Sequence, residues 1–162
     1  MRIGSLSLLG VALNPNAPIY VVFLLLHAAS AILGFGSVAI GGLYLPKFAR
    51  NEAEGVAFFR QGRALSKVVV PLTLALGVTL MVLAGRGSNF YSHLWFQAAV
   101  TCYLIAYGLC LVGIWPREAL IRRAIFDGVA VEKKTMVAIQ KAIVGVELLV
   151  VVAFVLMITQ PG

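Results

Sequence analysis

Residues 18–45 read PIYVVFLLLHAASAILGFGSVAIGGLYL, a run of 28 residues without a single Lys, Arg, Asp or Glu. A helix crosses the hydrocarbon core of a bilayer with about 20 apolar residues, so this run predicts a transmembrane helix. Pro18 suits the first turn of such a helix, and Pro46 predicts its end. Three further apolar runs predict spans at residues 68–84, 93–115 and 138–159. The chain is therefore expected to be an all-α, polytopic membrane protein with a bundle of four transmembrane helices.

The composition excludes other classes of protein. Of the 162 residues, 61% are hydrophobic and 12% are charged, whereas soluble domains average roughly 45–50% and about 25%. Intrinsic disorder requires low hydrophobicity, and two cysteines are too few for a disulfide scaffold. We therefore treat residues 1–162 as one integral membrane domain.

The first 17 residues contain an apolar run, residues 3–13, that is too short to span a membrane. Behind Arg2 this run could be the core of a signal peptide. However, Asn14-Pro15-Asn16 follows it instead of a small-residue cleavage site. We favour a retained segment, residues 1–17, on the outer surface of the membrane.

The basic residues predict the orientation. Ten of the 13 Lys and Arg residues lie in two segments, residues 47–67 and 117–134, whereas only Arg2 and Arg86 lie at the opposite side of the predicted bundle. The positive-inside rule then places both basic segments in the cytoplasm and both termini outside, in the inner (plasma) membrane. Because topology accounts for the net charge of +7, we expect no nucleic-acid partner.

The two basic segments also suggest an internal repeat. Leu45-Pro46-Lys47 and Trp115-Pro116-Arg117 are 70 residues apart, and a basic segment of about 20 residues follows each. The halves would share one orientation, as in membrane proteins built from parallel repeats. A true duplication and a merely shared topology are both consistent with this pattern. Charges at helical spacing, such as Glu118 and Arg122, predict that the basic segments are helical extensions.

Polar and small residues inside the spans identify the candidate site. On the first span, helical spacing predicts a packing seam that lets backbones approach closely, and His27 heads this seam. The seam consists of Ser30, Gly34, Ser37 and Gly41. The other spans supply a predicted polar core of Glu147, Gln97, Thr101 and Thr73.

His27 and Glu147 each admit several roles. His27 could be an interhelical hydrogen-bond donor, a ligand of haem b or of a metal together with His93, or a proton relay. Glu147 could be a neutral hydrogen-bond donor or a proton or cation site. Residue counts place them about 10 Å apart along the bundle axis, so that water, Thr or Gln could bridge them. No catalytic residues are predicted, because zinc-spaced ligands, a phosphate-binding loop and a nucleophile elbow are all missing from the sequence.

Short motifs give the chain a resemblance to a known family. They are the seam headed by His27, a third span anchored by Trp95 and closed by Trp115-Pro116-Arg117, and the tail LMITQP at residues 156–161. With these the chain resembles a bacterial family of small four-helix integral membrane proteins of unknown function, which is loosely similar to CopD-type copper-resistance and HemJ-type membrane proteins. The HemJ-type likeness rests on GLYLPK at residues 42–47, although no histidine follows the proline here. The resemblance implies the helical membrane fold and a candidate haem b.

Three functions follow as hypotheses. The leading one is a non-enzymatic accessory or assembly subunit of a membrane complex, in contact with the lipid bilayer and with other membrane subunits or a second copy of itself. The alternative is a haem- or metal-binding redox protein that uses His27. The third is a proton- or ion-conducting unit centred on Glu147.

Overall fold

The computed structural model describes residues 18–62, 64–84 and 92–159, and within these ranges the chain contains helices and no strand. The helices are α1 (Pro18–Ala49), α2 (Ala53–Gln61), α3 (Ala64–Ala84), α4 (Leu94–Leu109), α5 (Trp115–Asp127) and α6 (Lys133–Thr159). A π-helical turn, Cys110–Ile114, joins α4 to α5. The prediction for residues 1–17 lies outside the described residues.

Four helices are long and apolar enough to cross a membrane, which agrees with the predicted bundle. They are Pro18–Ala49, Leu65–Leu83, Leu94–Asp127 and Lys133–Thr159. Many of their large apolar side chains, such as Leu25, Leu43 and Val112, face away from the protein. A lipid environment accounts for that exposure, because hydrocarbon solvates these side chains as well as a protein interior does.

The predicted helix ends at the two prolines are wrong. α1 continues through Pro46 to Ala49, and the third span continues past Pro116 to Asp127. Pro116 cannot donate a hydrogen bond to the carbonyl group four residues earlier, that of Val112. The guanidinium of Arg117 donates to this carbonyl oxygen at 3.1 Å and to that of Gly113 at 2.7 Å. The helix therefore continues through the motif Trp115-Pro116-Arg117, because Arg117 supplies the hydrogen bond that Pro116 cannot donate.

The helices form two antiparallel hairpins. α1 packs along α3, and α4 packs along α6, while α1 and α6 connect the hairpins. Tyr103 on α4 strengthens this connection, because its hydroxyl donates to the carbonyl oxygen of Val70 and its ring meets Phe35 edge-on at 5.6 Å. The indole of Trp115 also donates to the hydroxyl oxygen of Ser66 at 3.2 Å. Polar bonds thus fix α3 against the second hairpin.

The basic segments are helical, as predicted. α2 packs against α1 and α5 at the end of the bundle opposite Pro18. We call this end, formed by α2, α5 and the turns beside them, the basic end. Gly55 on α2 lies so close to the backbone of Phe48 that a Cβ atom would overlap it. The short helix is therefore fixed to the last turn of α1.

The buried positions of the two hairpins follow one pattern. Each buried residue on α6 lies 73 residues after a buried residue on α3. The pairs are Ser66 and Ile139, Val70 and Ile143, Thr73 and Val146, and Leu80 and Ala153. On α1 and the third span the corresponding distance is 72 residues, for Gly34 and Ala106, Val38 and Cys110, and Gly41 and Gly113. The two halves of the chain therefore share a pattern of buried positions. The offset between matching positions is 72 or 73 residues, slightly more than the 70 residues that separate the two proline motifs.

The packing seam on α1 faces α3. A Cβ atom at Gly34 would lie 3.0 Å from Val70 Cγ2 and 3.2 Å from Val70 N. Ser30 and Gly41 are buried on the same face, whereas the half-buried Ser37 donates its hydroxyl to the Gly34 carbonyl of its own helix at 2.7 Å. Gly34 is therefore a point at which the backbones of the two helices approach closely.

We expect Gly34→Leu to destabilise the protein, because a side chain there would push α1 from α3. Overpacking typically costs about 1–3 kcal/mol, which would lower the melting temperature by several degrees. Gly36→Leu is the matched control, since an added Cβ atom at Gly36 meets nothing within 4 Å. Thermal unfolding in detergent measures both variants, and equal melting temperatures would contradict the close approach at Gly34.

Candidate functional site

Three polar side chains meet where α1 crosses α3. Nδ1 of His27 lies 2.9 Å from the carbonyl oxygen of Thr73, and the Ser30 hydroxyl donates to the His27 carbonyl oxygen at 2.8 Å. Because Ser30 uses its only proton there, its oxygen accepts from the Thr73 hydroxyl, at 3.0 Å. The Thr73 hydroxyl is also 3.0 Å from the carbonyl oxygen of Val69. We call His27, Ser30 and Thr73 the polar cluster.

The contact with the Thr73 carbonyl defines which nitrogen of the His27 ring carries the proton. A carbonyl oxygen can only accept, so Nδ1 carries the proton and Nε2 keeps its lone pair when the ring is neutral. The ring lies over Gly77, where a Cβ atom would be 3.1 Å from Cε1. Among the described residues no group forms a hydrogen bond with Nε2. His27 therefore binds α3 through one nitrogen and presents a second nitrogen that could accept a proton or coordinate a metal.

The polar cluster has no polar counterpart in the second hairpin. The packing register places Ala99 and Cys102 at the positions of His27 and Ser30, and Val146 at the position of Thr73. Ala99 and Val146 are fully buried. At these three positions the second hairpin thus has apolar side chains or a thiol, so this helix pairing does not itself require the polar cluster.

The polar residues predicted on the third span lie elsewhere. Gln97 and Thr101 are exposed on α4 instead of contributing to the core, and the Thr101 hydroxyl donates to the Gln97 carbonyl of its own helix at 2.8 Å. His93 is exposed at the start of α4 and stacks on Trp95, with ring centroids 6.1 Å apart. The inward face of α4 is instead the apolar one that includes Trp95, Ala99 and Ala106. The structure therefore does not join these polar residues to the polar cluster.

Glu147 is far from the polar cluster. Its Oε1 would lie 3.6 Å from a Cβ atom at Gly42, where α6 crosses α1. Gly42 follows His27 by 15 residues on α1, which corresponds to about 22 Å of helix rise. The predicted spacing of about 10 Å is therefore too short, and a single water or side chain does not bridge the two groups.

The half-buried Glu147 forms no hydrogen bond or ion pair with any residue in the described ranges. The hypothesis of a conducting unit stays a prediction.

Polar contacts that the sequence did not indicate come from Ser66, Tyr103 and Trp115, which join the hairpins. Trp115 was recognisable only as an interfacial aromatic residue in the motif with Pro116. A tyrosine between apolar residues, such as Tyr103, does not indicate in the sequence which carbonyl group its hydroxyl will bind. These contacts hold the scaffold around the polar cluster.

The basic end contains most of the charged residues, a cavity and a groove. Lys47 donates to the carboxylate of Glu54, and this bond holds the pKa of Glu54 below its usual range. Two more ion pairs are Arg50 with Glu52, at 2.6 Å, and Lys134 with Glu132, at 2.9 Å. A small cavity lies between α2 and α5, and an open groove of about 710 Å³ lies between the ends of the hairpins. His27 lines neither of them.

No metal centre is formed by the side chains that the structure describes, since no three His, Cys, Asp or Glu residues among them could hold an ion. Comparisons with family models, with curated proteins and with solved structures find no match. The resemblance drawn from the short motifs therefore stays a prediction, and the function is argued from the chain's own residues.

Proposed function

We propose that this multi-pass membrane protein is a non-enzymatic accessory or assembly subunit of a larger membrane complex. The supporting observation is the exposed apolar surface on the helical extension and turn of the basic end. Leu120 and Val129 are each more than half exposed there, on a segment that also carries Arg122, Arg123 and Asp127 and so belongs in water. Exposed apolar patches in water typically mark interaction sites. The polar cluster is consistent with a non-enzymatic role, because the contacts of His27 and Thr73 join α1 to α3.

A direct test is the mass of the protein extracted from its native membrane in a mild detergent. We expect a particle that contains other polypeptides in fixed ratio to the 17.3 kDa chain. Light scattering combined with ultraviolet absorbance and refractive index gives the protein mass without the detergent. A particle with the mass of one chain, or of a whole number of identical chains, would contradict an accessory role.

We further propose that the basic end faces the cytoplasm of a cell with an inner (plasma) membrane, with both termini outside. The positive-inside rule supports this orientation. In a chain with Cys102 and Cys110 replaced by alanine, Ser92→Cys should react with an impermeant thiol reagent in intact cells. Gln61→Cys, which is also exposed, should react only after the membrane is permeabilised. The reverse labelling pattern would contradict the orientation.

A second candidate function is haem or metal binding at His27. The observation that favours it is the Nδ1 contact with the Thr73 carbonyl, since imidazole ligands of metals commonly donate their other N–H to a carbonyl oxygen. Bound haem b would supply redox chemistry, while His27 would hold it through Nε2. His93 does not fit as the second ligand, because it is exposed at the start of α4.

If haem is bound, His27→Ala should remove the Soret absorbance of the purified protein, because the only interior imidazole in the described bundle is lost. His93→Ala should change the spectrum little and serves as the control. Both variants are compared at equal protein concentration and after equal extraction. Absorbance retained in His27→Ala would exclude His27 as the ligand.

A further inference from the structure

The groove at the basic end separates the ends of the two hairpins. One wall comes from the end of α1 and the start of α2, through Phe48 and Val56, and the other comes from α5 and α6, through Ile125 and Met136. Val129 and Val131 belong to the turn between α5 and α6 and complete the apolar lining. The groove is therefore a largely apolar depression between helices.

The groove lies beyond the lipid headgroups. The helix from Leu94 to Asp127 has 34 residues, which corresponds to about 51 Å, whereas the hydrocarbon core is about 30 Å thick. Ile125 follows Trp115 by ten residues, or about 15 Å of helix. The headgroup layer adds only about 5–8 Å on each side. Tryptophan side chains favour the membrane interface. With Trp115 placed there, the groove opens into water, where an apolar lining favours a protein partner over a lipid chain.

The charge around the groove defines the partner further. Ten basic and five acidic residues belong to the two segments of the basic end. Lys133 lines the groove, and among the described residues it has no acidic partner. The surplus of positive charge attracts an acidic partner. It disfavours a second copy of this chain, which would bring the same surplus to the interface.

We infer that the groove binds an amphipathic helix of another membrane subunit, with apolar residues in the groove and an acidic residue beside Lys133. Helices that dock in this way insert apolar side chains at positions i, i+3, i+4 and i+7. The inference rests on the proposed accessory role, and it names the surface and the chemistry of the partner.

Photo-crosslinking in the native membrane tests the inference. Benzoylphenylalanine replaces Val129, which lines the groove and is 64% exposed, or Phe126, which is 65% exposed and does not line it. On irradiation we expect the Val129 position to form an adduct whose sequenced peptide is an amphipathic, acidic helix. The Phe126 position should yield roughly tenfold less of this adduct.

The role of charge is tested at Lys133 in the same experiment. Lys133→Glu should reduce the Val129 adduct about tenfold, a change that corresponds to roughly 1.4 kcal/mol of binding free energy. Lys133→Arg keeps the positive charge and should retain the adduct. Equal amounts of chain in the membrane and equal melting temperatures establish that both variants are folded.

Several outcomes would overturn the inference. They are equal yields at Val129 and Phe126, an adduct with the mass of a phospholipid or of two copies of this chain, and a yield that Lys133→Glu leaves unchanged. If the extracted complex has additional subunits and the groove adduct is missing, the groove assignment fails and the accessory role remains. If no additional subunit is found, both fail.

Discussion

Polar groups inside a bilayer have no water to bind, and this constraint shapes most of the structure. Where proline removes a donor at Pro116, the Arg117 guanidinium binds the carbonyl oxygens of Val112 and Gly113. Where a hydroxyl or an imidazole enters the interior, it binds a carbonyl group of its own or a neighbouring helix, as Tyr103 binds Val70. Because lipid and protein interior are equally apolar, such bonds and close packing hold the hairpins together.

The two hairpins share one packing pattern but have different side chains at the matching positions. The first places His27, Ser30 and Thr73 where the second has Ala99, Cys102 and Val146. Thr73 and its counterpart Val146 are both buried, so the helix pairing accommodates a polar or an apolar side chain at this position. What distinguishes the first hairpin is an imidazole with an available nitrogen. A scaffold whose two halves pack alike can keep one half for packing while the other half carries polar groups.

Most of the architecture could be predicted from the sequence, because the length of an apolar run fixes whether a helix can span a bilayer. It was harder to predict which face of each helix points into the bundle. The seam headed by His27 faces α3, whereas the predicted core residues Gln97 and Thr101 are exposed, because the buried face of α4 is the one with Trp95 and Ala99. The axial distance between His27 and Glu147 was also predicted wrongly, because it was counted within the apolar runs and α1 extends beyond its run to Ala49.

The unbroken helix from Leu94 to Asp127 has a mechanical consequence. It consists of α4 and α5, and the π-helical turn between them is the one place where its hydrogen-bond pattern changes. The 13 residues of α5 are about 20 Å long, so a tilt of about 10° at the turn moves the far end of α5 by roughly 3 Å. Because Ile125 of α5 lines the groove, such a tilt would change the width of the groove.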